Sequence, residues 1–243
     1  LWTRCLKPDP DAKQTIIITQ MNTIVRAGIF VTHFSLLISC GGQSKTNRHE
    51  PAWPAQPTVG GGCEGCELMY VEMPQRVTPE HTSIGWAKGS QKLVVTGTAL
   101  QPDGKTPAPN VIIYYWHTDD NGLYAPDSQT PEKARAHGNL RGWVKTDENG
   151  FYKINTSRPA AYPGQDIPQH IHLSIKEPDI GNEYFADLYF ADDPLYLNHQ
   201  KKYGKADRAG NELLTVVDDG RVQVARHNIM LGLNIPNYPA KRR

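Results

Sequence analysis

Six consecutive residues, Val111-Ile112-Ile113-Tyr114-Tyr115-Trp116, are all β-branched or aromatic. Such side chains fit a pleated strand better than a helix, where the preceding turn restricts them. The run is short and has turn residues on both flanks, so it predicts a buried strand. Gln91 to Leu100 reads as a strand too, with Pro102-Asp103-Gly104-Lys105 as its turn. Ile171-His172-Leu173-Ser174-Ile175 alternates as a half-buried strand does. Val222 to Arg226 and Ile229 to Leu233 read as late strands, after a polar, helical or irregular stretch near Tyr203 to Glu212. With Gly 21 and Pro 19 in 243 residues, turns are frequent. These features predict an all-β chain, a single β-sandwich of about 170 residues.

A near-repeat supports that class. Trp116-His117-Thr118-Asp119-Asp120-Asn121-Gly122-Leu123-Tyr124 parallels Trp143-Val144-Lys145-Thr146-Asp147-Glu148-Asn149-Gly150-Phe151-Tyr152. Each copy predicts a strand, an Asn-Gly turn and an aromatic strand leaving it. The acidic turns lack the ligand spacing and closing Glu of a calcium loop, so turn chemistry accounts for them.

Lys+Arg 26 against Asp+Glu 25 leaves no net basic field, which disfavours binding of nucleic acid through a charged face. Residues 1–20 precede a natural-looking start at Met21 and are excluded from the fold. From Met21 the chain has one early cation, Arg26, and an apolar run from Ala27 to Ile38. That run is too short to span a bilayer but fits a signal core. Small residues then precede Cys40, as in a bacterial lipobox, which makes Cys40 the expected lipidation site. The chain would be an exported bacterial lipoprotein, meeting the membrane only through its lipid. A plain cleaved signal or a buried helix would present the same run. Residues 41–66 form a Pro/Gly-rich linker carrying Cys63 and Cys66, residues 67–237 the sandwich, and 238–243 a basic tail. In an exported protein the Cys63/Cys66 pair reads as a local disulfide; a redox pair or half a zinc site are the alternatives.

Pro168-Gln169-His170-Ile171-His172 is the sharpest chemical signal. Residues two apart on a strand share a face, so His170 and His172 can grip one transition metal. Tyr162 sits in a Pro/Gly loop just before them, and Tyr124 leaves the first Asn-Gly turn. A bound cation favours a phenolate, and two hard anionic oxygens would stabilise ferric iron. A packed strand tyrosine is the plainer account of either phenol, and Tyr152 holds the same turn position as Tyr124. A zinc hydrolase has the histidine pair but lacks a third ligand and a base at motif spacing.

From about Lys92 to Leu233 the chain resembles the intradiol ring-cleavage dioxygenases, the family of catechol and protocatechuate dioxygenases. The resemblance is carried by Gly97-Thr98, Pro107-Ala108-Pro109, Val111 with Trp116-His117, Asn121-Gly122-Leu123-Tyr124, Leu140-Arg141-Gly142, Thr146-Asp147, Asn149-Gly150-Phe151-Tyr152, Pro159 with Tyr162, Pro168 with His170-Ile171-His172, and Leu188-Tyr189-Phe190. It implies Fe(3+) held by Tyr124, Tyr162, His170 and His172, with Tyr162 the displaceable ligand that takes a substrate proton. It implies a catechol-type substrate and O2, with the ring opened between its hydroxylated carbons to a muconate-type diacid. It is compatible with a homo-oligomer.

Two positions depart from the family pattern. Ile167 stands where an arginine stabilises charge on the substrate ring, and Asp187 where a glutamine is common. The loop from Tyr162 to His170 is also short. Arg141, the candidate catalytic cation, or Arg158 would have to supply the missing charge. The alternative function is a lipid-anchored β-sandwich binding module with a decayed iron site.

Overall fold

The computed structural model describes residues 57–63 and 65–240. Residues 1–56, with Cys40 and the apolar run before it, and the Lys241-Arg242-Arg243 tail lie outside the described residues. Among the described residues no helix is long and apolar enough to cross a membrane.

The described strands are β1 (Glu80–Thr82), β2 (Lys92–Leu100), β3 (Ile112–His117), β4 (Arg141–Lys145), β5 (Phe151–Ser157), β6 (His170–Lys176), β7 (Tyr184–Phe190), β8 (Leu213–Leu214), β9 (Val216–Asp218), β10 (Val222–Arg226) and β11 (Ile229–Met230). One sheet runs β1-β5-β2-β10-β9, with β11 on β2; the other runs β4-β3-β6-β7-β8. Two short helices, α1 (Gly85–Lys88) and α2 (Tyr196–Tyr203), interrupt them. The all-β sandwich read from the sequence is the fold.

Between the sheets, β2 contributes Leu93, Val95 and Ala99, while β6 contributes Ile171, Leu173 and Ile175. The continuous apolar run of β3 has a specific cause. Ile113 and Tyr115 face this core, and Tyr114 and Trp116 face the other side, where Met69 covers them. Both faces of the strand are therefore dry. The cover is a 3-10 turn, Cys66–Tyr70, pinned by a hydrogen bond from Trp143 Nε1 to Met69 O at 2.7 Å.

The spacer reading of residues 41–66 does not hold for its described part. Gly60 N bonds Pro236 O at 2.7 Å, Val59 packs on the core, and Cys63 and Cys66 are joined as a disulfide. Tyr238, assigned to the tail, packs on the same core.

The two Asn-Gly turns are built alike. Asp119 Oδ1 accepts from Asn121 N and Leu123 N, and Asp147 Oδ1 accepts from Asn149 N and Phe151 N. Gly122 and Gly150 take φ of 75° and 72°. They then diverge. After Gly150 the chain continues as β5, and Tyr152 is buried against His227. After Gly122 no strand forms, contrary to the expected repeat. Thr118 Oγ1 donates to Ala160 O at 2.6 Å and Ala160 N to Asp119 O at 3.1 Å, clamping this turn to the Pro159–Gly164 loop. That clamp pulls Tyr124 off the sheet and towards Tyr162.

The clamp is testable at Gly122, where an added Cβ would lie 2.1 Å from Ala161 O. Gly164 has a similar φ of 70° but open space around it. Gly164→Ala should cost about 1 kcal/mol, the backbone penalty alone. Gly122→Ala should cost at least about 2 kcal/mol in denaturant unfolding.

His117 and His227 are buried, and burial pushes both imidazoles down to about 4. An unfolded histidine titrates near ~6.5, so between the two values the unfolded chain binds more protons and stability rises with pH. Their contribution is complete above about 6.5 and is lost as pH falls towards 4. Unfolding midpoints taken from pH 7.5 to 4 should fall steeply through that window, by up to about tenfold in folding constant per pH unit for each histidine. His227→Gln should flatten the fall.

Candidate metal centre

β6 presents His170 and His172 on the face of the five-stranded sheet away from the core, while Ile171 between them is buried in it. Strand register adds neighbours on that face. Trp116 of β3 and Asp187 of β7 lie opposite His172, and Tyr189 lies opposite His170. Directly paired residues share a face, so Trp116, His172 and Asp187 form one row. The clamped loops carry Tyr124 and Tyr162 over it.

The four side chains converge on one another. Tyr124 Oη is 2.5 Å from Tyr162 Oη and 2.9 Å from His172 Nε2. His170 Nε2 is 3.1 Å from Tyr162 Oη and 3.1 Å from His172 Nε2. They close a ring of four heteroatoms.

The far nitrogens fix the proton positions. His170 Nδ1 is 2.7 Å from Pro168 O, and His172 Nδ1 is 2.6 Å from Asp187 Oδ1. A carbonyl and a carboxylate can only accept, so both Nδ1 atoms carry hydrogen. In neutral imidazoles both Nε2 atoms are then bare lone pairs, facing each other. Only the two phenols bring protons to the ring, and two protons cannot serve four close contacts. A lone-pair-rich ring of this kind suits a cation. Donors held about 2.0–2.1 Å from one ion at right angles are about 3 Å apart, and the observed edges of 2.5–3.1 Å fit that spacing. Histidines whose second nitrogen binds a carbonyl or carboxylate have the support that metal-ligating imidazoles usually show.

Electrostatics point the same way. Burial pushes the His170 imidazole down to about 4, keeping its lone pair free. Burial raises both phenols, Tyr124 further through its contact with Tyr162, so neither ionises at neutral pH without a neighbouring cation. Burial, the largest single influence, would raise Asp187, but the hydrogen bond from His172 together with the nearby His170 and His172 imidazoles and the Arg208 guanidinium holds the carboxyl low. Among the described residues no three histidine, cysteine or carboxylate side chains cluster for a metal. The zinc-hydrolase reading therefore has no third ligand there, and the converging set is two imidazoles and two phenols.

A cavity of about 580 Å³ opens beside the ring. Tyr124, Tyr162, His172 and Asp187 line one part, and Trp116, His137, Leu68, Phe185, Gly62, Cys63 and Gly65 line the rest. No arginine or lysine is among the lining residues. Arg141 is directed elsewhere: Nη2 donates to Val71 O at 3.2 Å, and its guanidinium lies over Trp143. Arg158 is held by Asp192, Gln169 and Gln223. Neither lines the cavity. Sequence reasoning missed His137 and the disulfide loop as cavity walls. The Cys63/Cys66 pair marked a disulfide but not a wall, and His137 lies in a polar segment without periodicity.

A family model described as Dioxygenase matches residues 72–220, more than half of the chain. Among curated proteins, the chain is 32% identical over 137 residues to a catechol 1,2-dioxygenase of Acinetobacter baylyi, covering 47% of this chain and 43% of that protein. It is 28% identical over 131 residues to a protocatechuate 3,4-dioxygenase beta chain of Burkholderia cepacia, covering 51% and 55%. The chain thus spans about half the length of these relatives. Among solved structures it resembles the dioxygenase domain of a dioxygenase carbohydrate-binding protein fusion from Streptomyces sp. SirexAA-E, with TM-score 0.50, 21% identity, and coverage of 65% of this chain and 91% of that one. That likeness shows the fold. With the family model spanning both turns, both loops and the histidine strand, the chain belongs to the dioxygenase family of intradiol ring-cleaving enzymes.

Proposed function

We propose that the protein is a non-haem iron dioxygenase that opens a catechol-type ring between its hydroxylated carbons with O2, giving a muconate-type diacid. The observation that carries this reading is the ring formed by Tyr124, Tyr162, His170 and His172, four donor atoms with too few protons for their contacts. These residues would hold Fe(3+). When bound, the metal acts as a Lewis acid that favours the doubly deprotonated catechol and makes it reactive towards dioxygen.

The chain's own groups do the rest. Tyr162 lines the cavity, and its phenolate, which a bound cation would favour, would be the base that takes a proton from a substrate hydroxyl. Asp187 Oδ1 fixes the His172 tautomer from behind. Trp116 stacks on His172 with centroids 4.8 Å apart and offers the cavity an aromatic wall. No side-chain cation lines the described cavity to offset charge developing on the ring. Turnover is therefore expected to fall short, by about 10²–10³, of a site that keeps one such donor.

Loaded with ferric iron, the protein should be burgundy from tyrosinate-to-iron charge transfer and should consume O2 with a catechol. Tyr162→Phe should shift the absorption band and slow ring opening at least about 100-fold. Colourless protein with one iron per chain would overturn the reading. Asp187→Ala should weaken iron affinity by about 10–100-fold, measured as metal retained against a chelator.

A further inference from the structure

Beyond the donor ring, the cavity ends on a group that the ring-opening chemistry does not use. His137 is 5% exposed, and its ring lies parallel on Trp116, 4.1 Å between centroids and 5° between planes. Its Nδ1 is 2.9 Å from Tyr114 Oη. Tyr114 is fully buried, and its hydroxyl proton needs an acceptor. The other polar neighbour, Arg141 Nη1 at 3.4 Å, can only donate. The proton therefore goes to His137 Nδ1. Burial pushes the His137 imidazole down to about 4, so the ring is neutral at ordinary pH. A neutral imidazole that accepts at Nδ1 carries its hydrogen on Nε2.

That N–H has no hydrogen-bond partner among the described residues, and the ring lines the cavity. The disulfide loop packs close to this edge but brings no side chain over it. Gly65, with φ 86° between Cys63 and Cys66, lies against this edge, and a Cβ there would come 2.8 Å from Nε2. Trp116 separates His137 from His172 by two stacking steps of 4.1 and 4.8 Å. A single aromatic ring with one short substituent covers that span. At about 580 Å³ the cavity also falls within the range of pockets for larger ligands, about 300–1,000 Å³, and exceeds the needs of a bare dihydroxybenzene.

We propose that His137 Nε2–H forms a substituent subsite that selects catechols bearing an uncharged carbonyl group over unsubstituted or carboxylated ones. The preference for an uncharged acceptor follows from the lining. It has no lysine or arginine but includes the Asp187 carboxylate; Arg208, which acts on Asp187, and Arg141, which acts on His137 from behind Tyr114, both lie outside the lining, so a second buried anion would lack a counter-charge in contact with it. A neutral carbonyl satisfies the N–H without that cost. The proposal rests on the ring-cleavage reading, since it takes the catechol oxygens to sit at the donor ring.

The test is an anaerobic titration of the iron-loaded protein, following its charge-transfer band. The probes are 3,4-dihydroxyacetophenone, 4-isopropylcatechol (similar in shape, without the acceptor) and 3,4-dihydroxybenzoate. The wild type should bind the ketone at least about tenfold tighter than either of the others. His137→Phe keeps an aromatic stack on Trp116 but removes the N–H, and should bring the ketone to the affinity of the isopropyl compound. Gly65→Ala, which crowds the same nitrogen from the other side, should do likewise and serves if the first variant does not fold. In air the KM ratio of the two compounds should shift by the same factor. Equal binding of all three probes by the wild type, or a ketone preference that survives both substitutions, would overturn the subsite alone. Failure of the wild type to bind any of the three would overturn the ring-cleavage reading and the subsite with it.

Discussion

The site depends on a shortage of protons. Four lone-pair-bearing atoms are held within hydrogen-bond distance of their neighbours, and the histidine protons are committed elsewhere, to Pro168 O and Asp187. Side chains left to themselves would rotate to relieve such crowding. They are held because each is fixed from behind: the histidines by their Nδ1 contacts, the tyrosines by two loops clamped through Thr118, Asp119 and Ala160. This is a preorganised arrangement, whose cost is met by the fold rather than at the moment of binding.

The sandwich makes that preorganisation affordable by dividing labour between the faces of one sheet. β6 gives Ile171, Leu173 and Ile175 to the core and keeps His170 and His172 on the opposite face. That face is not left to solvent. The Cys66–Tyr70 turn and its disulfide loop cover Tyr114 and Trp116, and the same loop closes one wall of the cavity. A segment that looks like spacer is thus part of the site's enclosure.

The two departures from the family pattern take on different meanings in three dimensions. Asp187 is opposite His172 in the β6–β7 register and accepts a 2.6 Å hydrogen bond from its Nδ1–H, a contact in which a carboxylate is strong. Ile167 is not compensated by the two arginines the sequence offered, because Arg141 and Arg158 are both engaged elsewhere. The described cavity consequently has no arginine or lysine among its lining residues.

Much of the fold was legible in the residues. Strand positions followed from β-branched runs and turn punctuation, because pleat geometry is local and has period two. The shared face of His170 and His172 followed from the same period. The two Asn-Gly turns read alike and are alike, down to the Asp119 and Asp147 caps. Their sequels could not be read locally, since Tyr152 enters the core and Tyr124 enters the site for a reason that lies 40 residues away, in Ala160 and Ala161. His137 was invisible for the same reason: its tautomer depends on Tyr114 and its outlook on Gly65. By itself the sequence determined the strands, the turns and the types of donor available, because those are properties of neighbouring residues. Only the tertiary structure decided which phenols meet the histidines, which cations stay away, and which nitrogen faces the cavity, because those depend on contacts between segments far apart in the chain.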